Sequence, residues 1–105
     1  MGYNLDLQSI ANELDFDLED VEMLLEVFIE SASEILEELN NAIQENDLNK
    51  IYQCAHAIKG SSSNLTLMEI ANIAKEMEDQ SKTGNNIDYS ELYSKLKSFI
   101  DNIQK

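Results

Sequence analysis

A chain of 105 residues with no proline, and with glycine only at Gly2, Gly60 and Gly84, has almost nothing to interrupt a helix. Long helices are permitted from end to end, and an all-α fold is the expectation. With 43% apolar residues the chain can fill one modest core and not two, which predicts a single domain over residues 1–105.

Apolar residues recur at helical spacing in five places. Residues 4–14 set Leu7, Ile10, Ala11 and Leu14 on one face, as a short helix capped by Asn4 and covering an edge of the core. From Leu18 to about Glu45 the stripe Leu18, Val21, Leu25, Phe28, Ala32, Ile35, Leu39 and Ala42 predicts the longest helix, roughly 40 Å. Asn46 and Asp47 can cap a third, with Leu48, Ile51, Cys54, Ala55, Ile58, Ser62 and Leu65 inward. Thr66 with Glu69 reads as a capping box for a fourth, with Leu67, Ile70, Ile73, Ala74 and Met77 inward. After the loop at Gly84, Asp88 with Glu91 opens a last helix that buries Tyr89, Leu92, Leu96, Phe99 and Ile103. The expected architecture is an antiparallel four-helix up-down bundle with a short extra N-terminal helix lying across it.

The charge is lopsided. Residues 1–49 hold 14 acids and no base, whereas residues 50–105 hold 7 of each, so the whole net charge of −14 lies in the first half. Such a surface repels phosphate backbones and anionic membranes, and neither nucleic acid nor a membrane is an expected partner. One cysteine and one histidine make neither a disulfide nor a zinc finger, which suits a reducing compartment. With no basic-then-apolar leader and no apolar run near 18 residues, the chain is expected to be soluble, cytoplasmic and monomeric.

The most informative stretch is CAHAIKGSSSNL, residues 54–65. On a helical wheel His56 stands with Tyr52, Gln53, Lys59, Gly60 and Ser63 on the outward face, and Cys54 points the other way. A Cys-His nucleophile pair is thereby excluded, and Cys54 reads as a small core residue. Gly60, on the exposed face in mid-helix, costs about 1 kcal/mol relative to alanine, and no turn or core contact calls for it. Space next to His56 is a reason to keep it. Between Asp47 and Glu69 there is no acid, as suits a segment carrying a dianionic group. An exposed imidazole, neutral for much of the time near pH 7, can attack phosphorus, and an ammonium one turn away can steady the phosphoryl oxygens. Together His56, Lys59 and Gly60 describe a phosphoryl-carrying site.

The same residues, His56-Ala57-Ile58-Lys59-Gly60 through Asn64-Leu65, resemble the HxxKGxxxxL core of histidine phosphotransfer (HPt) domains. The resemblance extends over the whole chain: these domains are small helical bundles with the histidine on the second long helix. It implies a phosphoryl group passed between His56 and the aspartates of response-regulator receiver domains, or from a hybrid sensor histidine kinase, with Mg²⁺ and most of the catalysis supplied by the partner. It further implies receiver docking on apolar residues of the first helices, for which Leu7, Ile10, Leu14 and Phe28 qualify, although each could equally be core. Thr66 departs from the family, which most often has glycine there.

No acid cluster lies in sequence next to His56 to hold Mg²⁺, and no Gly-rich phosphate loop exists to bind ATP, so a carrier without metal or cofactor of its own is expected rather than a kinase. Two rival readings compete. One is an acidic helical module that docks a receiver or kinase without phosphotransfer. The other is an enzyme with His56 as general base, which is weaker because no orienting group lies within reach on the same helix. Within the family, a relay protein, a module of a hybrid kinase and the phosphorylated domain of a chemotaxis-type kinase remain open.

Overall fold

A computed structural model describes residues 7–103, and among these it contains five helices: α1 (Leu7–Leu14), α2 (Leu18–Gln44), α3 (Leu48–Asn64), α4 (Met68–Lys82) and α5 (Tyr89–Asp101). The expected cap at Asn4 lies outside the described residues. α2 packs beside α3 and α5, α3 beside α4, and α4 beside α5, while α1 rests on α2. The connections are too short to run back along a helix, so successive long helices are antiparallel and close into a four-helix bundle. α1 therefore leans on one helix of the bundle instead of spanning it, and seals the core edge with Ile10 and Ala11.

The helix ends follow one local rule. α1, α2, α3 and α4 each stop at a residue of positive φ, at Asp15 (58°), Asn46 (56°), Thr66 (59°) and Gly84 (76°). In each, the next amide reaches back five residues, as in Phe16 N to Ala11 O (2.8 Å) and Leu67 N to Ser62 O (2.9 Å), which is the Schellman arrangement. Thr66 consequently closes α3 and does not open α4. A capping residue needs extended backbone, and Thr66 is left-handed; Leu67 stands at the N-cap of α4 with no side-chain bond. The expected Thr66–Glu69 capping box is thus absent. Asp47 and Asp88 do cap, accepting from Lys50 N and Ser90 N, each at 3.1 Å.

The core follows the stripes read from the sequence, with shifts at the flanks. Leu36 is buried and Ile35 only half-buried; Ile100 is buried and Phe99 half-buried; Leu18, at the first turn of α2, is exposed. Two residues flanking a stripe are equivalent by periodicity, and the neighbouring helix decides which one is covered. Cys54 is a core residue on the face away from His56, and burial, reinforced by Glu38 against the opposing Lys50, pushes its thiol pKa up.

Candidate functional site

The face of α3 opposite its apolar stripe carries His56, whose side chain is 61% exposed. Tyr52, one turn earlier, stacks on the imidazole with ring centroids 6.0 Å apart and planes 18° from parallel. One turn later, Gly60 is exposed in ordinary helical geometry, and a Cβ built there would meet nothing within 4 Å. Neither backbone nor packing requires the glycine. Gln53 and Ser63 are exposed on the same helix and neighbour His56 by register alone.

α4 contributes a residue the sequence reading did not include. Glu78 is 6% exposed, and its carboxylate accepts from Nδ1 of His56 at 2.5 Å and from Nζ of Lys59 at 2.7 Å. Burial on its own would raise the Glu78 pKa. The hydrogen bonds from Lys59 and His56 outweigh it and hold the carboxyl below the usual range, so Glu78 is ionised near neutrality. A carboxylate can only accept, which assigns the proton to Nδ1 and leaves the lone pair of a neutral imidazole on Nε2.

Two sequence expectations change. The acid-free span around His56 does not keep carboxylates away from it, because the fold brings one in from α4. An orienting group for the imidazole does exist, on another helix. The signal was present: Glu78 follows Ile70 and Ala74 at four-residue steps, so an acid falls on the inward stripe of α4 beside Met77. Lys59, expected as a partly exposed group steadying the phosphoryl oxygens, is one-third exposed and bonded to Glu78.

The four docking candidates divide. Ile10 and Phe28 belong to the core and have almost no surface to offer, since α1 folds onto α2 just where they lie. Leu7 and Leu14 are half-buried. The exposed apolar residues nearby are others: Phe16, Leu18, Met23, Leu24 and Val27, at the α1–α2 joint and along the first half of α2.

A bundle whose second long helix presents an oriented histidine, followed by Lys59 and Gly60, is the arrangement of a histidine phosphotransfer domain. The Hpt domain family model matches residues 23–105. The chain therefore belongs to the Hpt domain family, whose members are the histidine phosphotransfer domains of phosphorelays and work with receiver domains and kinases. Neither the curated proteins nor the solved structures yield a match. Among the described residues no helix is long and apolar enough to cross a membrane.

Proposed function

We propose that this chain is a cytoplasmic phosphoryl carrier, in which Nε2 of His56 takes a phosphoryl group from one receiver aspartate and gives it to another. The observation that carries the reading is the bond from Nδ1 of His56 to buried Glu78, because it leaves the solvent-facing nitrogen as the nucleophile. In the forward step the Nε2 lone pair forms the N–P bond as the acyl-phosphate O–P bond breaks, and the partner's aspartate departs as a carboxylate. The ring gains positive charge, and Nδ1 keeps its proton against the buried Glu78 carboxylate, which stabilises that charge from the inner side of the exposed ring. In reverse, the aspartate attacks phosphorus and Nε2 leaves with its lone pair.

Lys59 contributes through the same carboxylate. By holding Oε1 it fixes Glu78 on the imidazole. Gly60 keeps the approach to Nε2 open. Chemistry beyond this belongs to the receiver, so the chain is a carrier and not an enzyme.

Incubation with a phosphorylated receiver tests this. Acid-labile, alkali-stable phosphate should appear on His56, as suits a phosphoramidate, and none on the His56→Gln variant. Binding without uptake would favour the docking-module reading, phosphate on Ser61, Ser62 or Ser63 another chemistry, and receiver-independent turnover of a phosphoester a hydrolase.

A further inference from the structure

Two groups hold the imidazole of His56. Glu78 takes its Nδ1, and Tyr52 lies against its face, with ring centroids 6.0 Å apart and planes 18° from parallel. The Nε2 lone pair lies in the plane of the ring, so a neighbour stacked on the face leaves that nitrogen free to react. Gly60, one turn to the other side, leaves open space beside it. Tyr52 can therefore stay against the ring throughout phosphorylation and its reversal.

Phosphorylation changes the charge that these neighbours face. As Nε2 gives its lone pair to phosphorus and the donor's bond to phosphorus breaks, Nδ1 keeps its proton, so the ring passes from neutral to positive. The single negative charge of Glu78 is already shared with the ammonium of Lys59 at 2.7 Å. Lys82 of α4, which lines the same shallow cavity as Tyr52, is a further cation. Glu78 thus stabilises the ring charge less than an unshared carboxylate would. The other group against the ring is the face of Tyr52, and an aromatic face carries the negative side of a quadrupole that draws a cation within about 6 Å of its centroid.

We propose, building on the carrier reading, that the face of Tyr52 stabilises the charged, phosphorylated imidazole over the neutral one and so sets how firmly this chain holds its phosphoryl group. A neutral ring gains little from that face and a charged ring gains more, so the contact favours the loaded state and opposes release.

The test uses potassium phosphoramidate, which loads histidine without a receiver: its P–N bond breaks, ammonia leaves and the N–P bond to Nε2 forms. His56 is the one histidine of the chain, so phosphorus NMR at a fixed ratio of phosphoramidate to ammonia reads its loaded fraction directly. Tyr52→Leu should lower the ratio of loaded to unloaded chain about two- to fivefold, the size of a cation–π contact at an exposed site. Tyr52→Phe should stay close to wild type. Tyr52→trifluorophenylalanine, of nearly the same shape but with the negative charge drawn off its face, should fall to the level of Tyr52→Leu. Nitrogen NMR should show the same Nδ1–H tautomer in each variant, which keeps Glu78 out of the difference. Should Tyr52→Leu disturb the fold, the phenylalanine and trifluorophenylalanine pair carries the test. Equal loading across that pair, wild-type loading by a folded Tyr52→Leu, or no loading of the wild type would each overturn the proposal. Transfer from receivers is scored separately. A wild type loaded by phosphoramidate and by no receiver ends the carrier reading, while the pair still decides the role of Tyr52; uptake from a receiver with equal loading across the pair ends the Tyr52 proposal alone.

Discussion

Glu78 and His56, 22 residues apart in the chain, meet at 2.5 Å between Oε2 and Nδ1, and the carboxylate's other oxygen takes the Lys59 ammonium at 2.7 Å. One buried acid thus ties together two residues of α3 that a helical wheel shows only as neighbours. Its position makes it the residue on which both the orientation of the imidazole and the local packing depend.

Glu78→Gln should slow phosphotransfer about tenfold, equivalent to about 1.4 kcal/mol, because an amide can accept from Nδ1 but cannot offset charge on the ring. Nitrogen NMR of His56 should show the Nδ1–H tautomer in the wild type and a mixture in the variant. Unchanged rate and tautomer would remove Glu78 from the mechanism. The stability profile follows from its depressed pKa: the unfolded chain takes up this proton at higher pH than the folded one. Unfolding free energy contributed by Glu78 is present above the ordinary value of 4.5 and lost as pH falls through the folded value. Urea titrations from about pH 3 to 6 should show a steeper acid loss in the wild type than in Glu78→Gln.

His56→Ala and His56→Gln should abolish uptake, and His56→Gln should cost the fold no more than about 1 kcal/mol, because its amide keeps a donor for the Glu78 carboxylate while Lys59 stays in place. Lys59→Ala should cost more, about 1–3 kcal/mol, because it strips the ammonium from a buried carboxylate, and should also lower transfer about tenfold. Equal stability of the Lys59→Ala and His56→Gln variants in chemical denaturation would show that the Lys59–Glu78 bond does not hold α3 to α4.

At Gly60 stability and function should move in opposite directions. With ordinary helical geometry and open space around it, Gly60→Ala should stabilise the protein by about 0.5–1 kcal/mol and Gly60→Gln by somewhat less. Transfer should nevertheless fall sharply for Gly60→Gln, whose side chain would stand one turn above the imidazole, with Gly60→Ala intermediate. Wild-type transfer by Gly60→Gln in a rate assay would refute the access argument.

Thr66→Gly should raise stability by about 1 kcal/mol. A β-branched residue at φ 59° is strained by about 1–2 kcal/mol, part of which the greater freedom of glycine in the unfolded chain offsets. Thr66→Val should destabilise. A lower melting temperature for Thr66→Gly would mean that the threonine side chain makes a compensating contact.

How much of this was legible in the chain depends on the distance over which each feature is determined. Helices and their inward stripes are set within a few residues by the period of 3.6, so five helices and nearly all of the core could be read directly, and His56, Lys59 and Gly60 share a face by spacing alone. Thr66 shows the limit of local reading: the same residue suits an N-cap and, less well, the end of the preceding helix, and the bonds of Leu67 to Ser62 and of Thr66 to Ser63 favour the second. The burial of Ile10 and Phe28, and the exposure of Phe16 and Val27, follow from where α1 settles on α2, which no periodicity contains. Glu78 lies furthest from local reading. An acid on an apolar stripe marks itself in sequence as an anomaly, but its partners on α3 emerge only when two antiparallel helices pack in one register, because a carboxylate is buried there solely where an imidazole and an ammonium arrive to satisfy it.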